Sequence, residues 1–304
     1  MTGQVLLSTY NGQAYLRPLM ESVLAQDCQH LEVLVRDDGS NDDTVNLLRE
    51  YAAANPNVQV IVGDQVGVAQ SYFELLQRSS AAADFLMLCD QDDVWRRDKV
   101  SRAVGCLARG GPETPALYCS RVAIVDEDLK LLGYSDLPRK GLSFRNALVQ
   151  NVAMGCTITV NQAARRLLLR ETPRHVCMHD WWFYLVVSAF GHLVYDEDPA
   201  ILYRRHAGNV FGIPLGTVET WRLKLHRFRR YGKLNPVVRQ AEEFNRIYGA
   251  SLPEDHRLVL ERFLESRRRL SHRLRYSVCC DVYRQSTRDQ LLLKFLLLVN
   301  RMPC

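Results

Sequence analysis

Three carboxylates stand within four consecutive positions at residues 90–93, where the sequence reads Asp-Gln-Asp-Asp. Carboxylates this close repel one another unless a cation or several hydrogen-bond donors hold them. They directly follow residues 85–89, the most apolar strand candidate in the chain. A hard divalent cation such as Mg²⁺ or Mn²⁺ binds carboxylate and phosphate oxygens together. The spacing therefore favours a cation site that also holds a diphosphate, and a charged surface turn is the alternative.

A second acidic stretch, residues 37–43, reads Asp-Asp-Gly-Ser-Asn-Asp-Asp and follows another strand candidate. Asp42 or Asp43 is expected to cap the next helix, because aspartate is a preferred N-cap residue. The sequence has no GxGxxG and no GxxxxGK[ST] loop, which argues against a dinucleotide oxidoreductase and a P-loop NTPase. It has no GxSxG nucleophile elbow either.

Apolar strand candidates alternate with helical patterns over the first hundred residues. The candidates are residues 5–7, 31–35, 58–62 and 85–89. This alternation predicts an α/β fold with a mostly parallel sheet flanked by helices, in which ligands bind at the carboxyl ends of the strands. Residues 116–125 are predicted to form one strand, and residues 126–140 a loop or hairpin. From residue 217 onward the pattern is helical, so we expect a C-terminal helical extension.

Composition and charge limit the classes of protein. The 304 residues are 47% hydrophobic and 24% charged, as in globular proteins. No apolar run approaches the roughly 20 residues that span a bilayer, and no basic leader precedes an apolar core. The nine cysteines show no CxxC spacing. We expect reduced thiols, no signal peptide and a cytoplasmic protein.

Charge is distributed unevenly along the chain. Residues 217–304 contain 19 Lys+Arg and 9 Asp+Glu, whereas the first 216 contain 20 and 25. Arginines mixed with leucines suit helices on an anionic membrane surface, so we expect peripheral attachment to the cytoplasmic face of the inner membrane. The alternative is a helical subdomain whose arginines are solvated or paired. Nucleic-acid binding is disfavoured, because no recognition motif accompanies the basic residues.

Five motifs occur in the order and spacing seen in family-2 glycosyltransferases, and the last two resemble the rhamnosyltransferase-like branch that builds bacterial surface polysaccharides. They are residues 7–12 (LSTYNG), 35–44 (VRDDGSNDDT), 88–95 (LCDQDDVW), 179–182 (HDWW) and 203–209 (YRRHAGN). The resemblance implies a glycosyltransferase A fold, a nucleotide-diphosphate sugar donor, a divalent cation (Mn²⁺ or Mg²⁺) and inversion at the anomeric carbon. It implies a catalytic domain at 1–214, with a nucleotide-binding half at 1–100 and an acceptor half at 101–214, before a basic helical region at 215–304.

The resemblance also implies a role for individual residues. Asp37 or Asp38 would contact the base, and a carboxylate suits the imide N–H of uracil or thymine. Asp92 and His206 would hold the metal. The further residues implied for the nucleotide sugar are Thr9, Tyr10, Asn11, Asp90, Asp93, Lys99, Arg204 and Arg205, the two arginines on the diphosphate. A surface charge on a helix is the alternative for Lys99.

Asp180 resembles the base that activates the acceptor, since an inverting transfer needs a group that takes the hydroxyl proton. An N-cap role for the following helix is the alternative. Asn151 and Gly155 match the acceptor region. Trp181 and Trp182 are assigned to acceptor binding, with packing in the core as the alternative.

The resulting expectation is an enzyme that transfers a single sugar, rhamnose from dTDP-rhamnose, to a lipid-linked or lipopolysaccharide saccharide. A UDP-hexose-dependent transferase of the same fold is one alternative. A non-catalytic sugar-binding or scaffold subunit is another, which the intact Asp92, Asp180 and His206 disfavour. A nucleotidyltransferase would need a glycine-rich basic loop that residues 8–12 lack. The donor sugar, the acceptor, the linkage and the oligomeric state stay open at this stage.

Overall fold

The computed structural model describes residues 1–206, 208, 216–231 and 234–303. The chain divides into two compact units. The first contains Met1–Leu137, Ala153–Leu169 and Gly191–Ile213, and the second contains Pro138–Val152, Arg170–Phe190 and Pro214–Cys304. Residues 207 and 209 of the last sequence motif lie outside the described residues. The predicted domain boundary at residue 214 stays a prediction. The two units divide the chain at further positions, because residues 138–152 and 170–190 also belong to the second unit.

All strands of the described residues lie in the first unit. They are β1 (Gly3–Thr9), β2 (Leu31–Asp37), β3 (Val58–Val62), β4 (Phe85–Asp90), β5 (Val94–Trp95), β6 (Ala116–Ser120), β7 (Ala123–Val125), β8 (Leu131–Tyr134), β9 (Thr159–Asn161), β10 (His192–Asp196) and β11 (Ile201–Arg204). Seven form a sheet in the order β10-β6-β9-β4-β1-β2-β3, and the others form a sheet in the order β5-β11-β7-β8. In the larger sheet only β9 runs antiparallel to its neighbours among the described strands.

The strands at the centre of the larger sheet position the acidic motifs. β1, β2 and β4 are runs of Val, Leu, Met and Cys that are buried on both faces, as expected for parallel strands covered by helices. In the register of the sheet, Thr9 lies opposite Asp37 and Ser8 lies opposite Asp90. The carboxyl ends of these strands therefore meet at one edge. The predicted α/β fold with a mostly parallel sheet is confirmed.

The prediction of a single strand over residues 116–125 is wrong. The chain forms β6 and β7, which belong to different sheets. The backbone N–H of Arg121 still donates to the carbonyl of Asp196 on β10, whereas that of Val122 donates to Ser135 Oγ. The chain therefore leaves the ladder of the larger sheet between these two residues. β8 pairs antiparallel with β7 and confirms the predicted hairpin.

Helices cover the larger sheet and build the second unit. The bounds are α1 (Gln13–Leu24), α2 (Thr44–Ala54), α3 (Val68–Arg78), α4 (Lys99–Leu107), α5 (Phe144–Ala147), α6 (Gln162–Leu168), α7 (His179–Phe190), α8 (Thr217–Tyr231), α9 (Pro236–Tyr248), α10 (Glu254–Glu265), α11 (Leu270–Val278) and α12 (Thr287–Leu298). Asp42 rather than Asp43 fixes the start of α2, because Asp42 Oδ1 accepts from the N–H of Thr44 at 3.0 Å. In the described part of the chain, no helix is both long enough and apolar enough to cross a membrane.

Aromatic packing forms the core of the second unit. The Trp182 ring on α7 lies against Phe244 and Tyr248 on α9, and Phe144 on α5 lies 5.5 Å from Phe244 between ring centroids. All these rings are buried. Cys177 of this unit is disulfide-bonded, so the expectation that every cysteine is reduced is wrong for this residue.

Candidate active site

The site of the first unit centres on Asp92 and His206. Asp92 follows β4 in the turn before β5, and His206 lies two residues after β11. The imidazole Nε2 is 2.9 Å from Asp92 Oδ2, and both side chains keep some exposure to solvent. The N–H of Gly208 donates to Nδ1 of His206 at 3.1 Å, and Nε2 is the ring nitrogen that faces Asp92. The structure thus brings together the two predicted metal ligands.

Tyr15 and Arg204 contact the pair formed by Asp92 and His206. The Tyr15 ring, on α1, lies 4.5 Å from the His206 ring between centroids, and the Arg204 guanidinium lies 5.0 Å from the same tyrosine ring. Arg204 Nε donates to the carbonyl of Asp92 at 3.0 Å, and Nη1 donates to the carbonyl of Glu127. Arg204 is therefore a buried residue that fixes the turn carrying Asp92. Two of its guanidinium nitrogens donate to main-chain carbonyls, and the predicted contact of Arg204 with a diphosphate stays a prediction.

Asp93 and Lys99 are buried behind the acidic turn. Burial, together with the charges of Asp92 and Asp90, raises the pKa of the Asp93 carboxyl well above its usual range. The backbone N–H of Arg204 donates to Asp93 Oδ1 at 3.3 Å. Burial also lowers the pKa of Lys99 to about 8. Asp93 and Lys99 therefore lie on the buried side of the turn that carries Asp92.

Lys99 is neither the predicted nucleotide ligand nor a charge on a helix surface. Its side chain is fully buried, and Nζ lies 3.6 Å from the centroid of the Trp95 ring. Among the residues that the structure describes, Nζ has no hydrogen-bond partner. A cation over an indole face is stabilised by the ring quadrupole, which partly offsets the cost of removing it from water.

Asp90, Asp93 and Cys156 also approach one another, with one potential ligand atom from each within 4.8 Å of the others. This group is a poor fit for Mg²⁺ or Mn²⁺, which prefer oxygen to sulfur. Burial raises the pKa of the Cys156 thiol well above its usual range, which opposes the thiolate needed for ligation. The oxygen and nitrogen donors of Asp92 and His206 fit a hard divalent cation better.

Asp90 is oriented by Tyr72, a residue that the sequence motifs do not include. The hydroxyl of Tyr72 lies 2.8 Å from Asp90 Oδ1 and 2.5 Å from the carbonyl oxygen of Cys89. Tyr72 comes from α3 and is buried, and burial raises the pKa of its phenol. The phenol therefore stays protonated and holds the Asp90 carboxylate at the end of β4.

The loop after β1 is built around Tyr10, Asn11 and Gly12. The amide of Gln91 pairs with the Tyr10 backbone, accepting from its N–H at 2.8 Å and donating to its carbonyl at 3.0 Å. A Cβ on Gly12 would stand 2.3 Å from Gln91 Oε1, so a larger residue there would displace the Gln91 amide that pairs with Tyr10. Tyr10 is 40% exposed and is available to a ligand. Asn11 Oδ1 accepts from the N–H of Asn41.

Thr9 and Asp37 form a buried internal link. Thr9 Oγ1 donates to Asp37 Oδ2 at 2.9 Å, and Ser40 donates to both carboxylate oxygens through its N–H and hydroxyl. Both Thr9 and Asp37 are buried. Their side chains brace the two strand ends, and the predicted contacts with a nucleotide gain no support from this geometry.

Asp38 lies in a cage of donors. Its carboxylate accepts from the N–H groups of Val66 and Gly67 at 2.9 and 2.8 Å, and from the Arg36 guanidinium at 2.5 Å. Asp38 is 4% exposed whereas Asp37 is 0% exposed. A carboxylate has about four lone-pair directions, so Asp38 keeps one for a ligand donor. Both candidates for the contact with the nucleobase are buried, and Asp38 is the less completely enclosed of the two.

Asp180 is the second residue of α7, since the helix starts at His179. Its Oδ1 accepts from the N–H of Trp181 at 2.6 Å, and the side chain is partly exposed. Burial lowers the pKa of the neighbouring His179 to about 3, so that ring is neutral near pH 7. Asp180 is thus an accessible carboxylate inside the first turn rather than the residue that precedes the helix.

Trp181 and Trp182 are core residues of the second unit. Trp181 Nε1 donates to the carbonyl of Ala147 at 2.6 Å, and Trp182 is fully buried. The predicted contact of both rings with an acceptor sugar is corrected, because a buried indole offers no face for stacking. Asn151 is partly exposed and Gly155 is buried in a short 3-10 turn. Their acceptor roles, and the diphosphate role of the partly exposed Arg205, stay predictions.

The mainly parallel sheet and the carboxylates at its strand ends define the class of protein, which is a glycosyltransferase of the A fold. The chain matches Glycosyl transferase family 2 over residues 4–172 and belongs to that family. A curated relative, the dTDP-rhamnosyl transferase RfbG of Shigella flexneri, is 24% identical over 246 residues, which cover 75% of this chain and 81% of the relative.

Two solved structures share the fold. A structure of S. aureus TarS in complex with UDP-GlcNAc superposes with a TM-score of 0.62 at 15% identity, covering 97% of this chain and 79% of that one. The mannosyltransferase PcManGT of Pyrobaculum calidifontis, in complex with GDP-Man and Mn²⁺, gives a TM-score of 0.57 at 16% identity, covering 97% and 84%. Together with the family match, these similarities identify an enzyme that transfers sugar from a nucleotide-sugar donor.

Proposed function

We propose that the protein is an inverting glycosyltransferase that moves one rhamnose from dTDP-rhamnose to a saccharide acceptor of lipopolysaccharide, O-antigen or another surface polysaccharide. The pairing of Asp92 with His206 beside Asp90, at the carboxyl ends of the central strands, is the observation that carries the chemistry. The choice of rhamnose is supported by the similarity to RfbG, a dTDP-rhamnosyl transferase by name.

Asp92 and His206 are the residues that would hold the divalent cation. They supply an oxygen and a nitrogen donor 2.9 Å apart, a donor set that Mn²⁺ and Mg²⁺ accept. When bound there, the cation would supply positive charge to the leaving diphosphate. Arg205 adds a guanidinium close by in sequence, which suits a phosphate oxygen. Mn²⁺ or Mg²⁺ is therefore the proposed cofactor.

Asp180 is the proposed base. The acceptor hydroxyl oxygen forms the new bond to the anomeric carbon as the bond to the diphosphate breaks, and attack opposite the leaving group inverts the centre. Asp180 takes the hydroxyl proton, and the nucleoside diphosphate leaves with the bonding electrons. The neighbouring His179 is neutral because its pKa is lowered to about 3, so it places no cation beside the base.

Asp38 is the proposed contact to the thymine ring. Its carboxylate is held rigidly by Val66, Gly67 and Arg36 and retains one acceptor direction. The imide N–H of thymine or uracil is a donor that matches it, whereas cytosine has no proton at that ring position. This geometry supports a thymidine or uridine donor and leaves UDP-hexose as the alternative.

The proposed location of the protein is the cytoplasmic face of the inner membrane, where it would be attached peripherally. The excess of 19 Lys+Arg over 9 Asp+Glu in residues 217–304 supports attraction to anionic lipid. An acceptor carried on lipid would be met at that surface. A scaffold or sugar-binding subunit without activity is the remaining alternative.

A thermal-shift screen of nucleotide sugars with Mn²⁺ or Mg²⁺ tests the donor, since a ligand of the folded state raises its stability by mass action. We expect dTDP-rhamnose with either cation to raise the melting temperature more than UDP-hexoses or GDP-mannose do. A shift from a UDP-hexose and none from dTDP-rhamnose would establish the alternative donor. Release of nucleoside diphosphate in the presence of a saccharide acceptor separates an enzyme from a non-catalytic subunit.

A further inference from the structure

Two neighbouring helices of the second unit carry apolar stripes that face solvent. The stripe of α11 is Leu270, Leu274 and Val278, and that of α12 is Leu291, Phe295 and Val299 at its end. These six residues are between 39% and 71% exposed. In each helix they are spaced by four, so they share one face, while Tyr276 on α11 and Leu293 and Leu297 on α12 are buried. Among the residues that the structure describes, the two helices therefore have a packed side and an exposed apolar side.

The two stripes approach each other. α11 and α12 pack together, and Lys294 Nζ reaches the carbonyl of Val278 at 3.5 Å. Val278 ends the first stripe, and Lys294 precedes Phe295 of the second. The end of one stripe thus lies beside the middle of the other. Monomeric soluble proteins seldom expose contiguous large apolar groups in this way, and such patches mark interaction surfaces.

Helix α8 extends the same region. The ammonium of Lys224 pairs with Asp289 on α12, and the Arg301 guanidinium lies 5.5 Å from the Phe228 ring centroid. Trp221 on α8 is 48% exposed, whereas the other three tryptophans are buried. An exposed indole next to basic side chains is typical of the boundary between water and lipid.

The charge of the region selects the occupant. Residues 267–301 contain nine Lys+Arg and two Asp+Glu. Arg268, Arg269, Arg275 and Arg288 are exposed and stand within one turn of the stripes. A second copy of this chain would bring equal positive charge against it, which is unfavourable. A surface of anionic lipid supplies apolar chains for the stripes and phosphates for the guanidinium groups.

We infer that the exposed faces of α11 and α12, with Trp221 at their side, form the lipid-docking surface of this protein. This inference rests on the proposed peripheral attachment and names the residues that perform it. The stripes enter the headgroup region, and the arginines stay at the level of the phosphates. Neither donor binding nor the carboxylates of the first unit take part in it.

Vesicle flotation with full-length protein tests the surface, using phosphatidylcholine alone and phosphatidylcholine mixed with phosphatidylglycerol. The test variant is L274S/F295S, and the matched control is L131S/L258S, which replaces two exposed leucines outside the stripes. We expect the wild type and the control to float with the anionic vesicles. We expect the affinity of the test variant for these vesicles to fall by about tenfold or more, because two apolar side chains no longer enter the lipid.

Trp221 gives a second readout. Its fluorescence should shift to shorter wavelength when anionic vesicles are added, and the shift should disappear in L274S/F295S.

Equal flotation of L274S/F295S and wild type would overturn the surface while leaving peripheral attachment intact. No binding of the wild type to anionic vesicles would overturn the attachment itself. A dimer in sedimentation that L274S/F295S dissociates would assign the face to a second copy and overturn the inference. Melting temperatures and nucleotide binding of each variant verify folding and report on the first unit independently.

Discussion

His206 Nε2 lies 2.9 Å from Asp92 Oδ2, although 114 residues separate them in the sequence. Strand β11 carries the histidine to this place by pairing with β5, the strand that follows the acidic turn. Arg204, at the end of β11, reinforces the arrangement through the Asp92 carbonyl. The four-stranded sheet thus brings the His206 imidazole to the acidic edge of the seven-stranded sheet.

Tyr15 should act as a positioning residue for His206. Replacing Tyr15 with Ala removes the ring that lies 4.5 Å from the imidazole and 5.0 Å from the Arg204 guanidinium. We expect Mn²⁺ to bind about tenfold more weakly, since groups that orient metal ligands have effects of this size. Isothermal titration with Mn²⁺ and a nucleoside diphosphate measures it. Tyr15→Phe keeps the ring and should bind as wild type, and equal losses in both variants would argue against ring packing.

Asp180→Asn should keep donor binding and lose transfer. The amide preserves shape but cannot take the acceptor proton, so we expect turnover to fall about a hundredfold or more. The affinity for the nucleoside diphosphate should stay within experimental error of wild type. Asp255→Asn, another carboxylate of the second unit that is largely exposed, serves as the control. Turnover of Asp180→Asn close to that of the control would remove Asp180 from the mechanism.

Lys99 should make stability depend on pH. Its pKa is lowered to about 8 in the folded protein, whereas the unfolded value is near 10.4. Between these values the unfolded chain binds more protons, so the free energy of unfolding should rise with pH in that window. Urea denaturation from pH 7 to 9.5 measures the rise. In Lys99→Met the rise should be smaller, and superimposable pH profiles of the two proteins would contradict the assignment.

The parallel sheet and the helices around it could be predicted from residues 1–100, because apolar strands of five to seven residues alternate there with amphipathic helices. The middle of the chain was harder. Strands β6 and β7 are separated by two residues. At the switch between sheets the Arg121 N–H still bonds to β10, whereas the Val122 N–H bonds to the distant Ser135. No local pattern encodes such partners.

The candidate site was predicted in part. Asp92 and His206 could be found from motifs, and the structure brings them together. Motifs do not distinguish a ligand from a support, so Lys99 was assigned to the nucleotide sugar although it is buried. Tyr15 was missed because its role arises from ring packing across the sheet edge. Its position in an α1 sequence otherwise rich in buried leucines gave no separate signal.

The most direct test of the central claim is calorimetric titration of the nucleoside diphosphate TDP, with and without Mn²⁺, into wild type and Asp92→Asn. In the wild type we expect Mn²⁺ to strengthen TDP binding about tenfold or more, as for two coupled ligands at one site. In Asp92→Asn the effect of Mn²⁺ should vanish, whereas Asp128→Asn, in the exposed turn before β8, should retain it. The same Mn²⁺ dependence in Asp92→Asn as in wild type would contradict the assignment of Asp92 and His206 as the cation site.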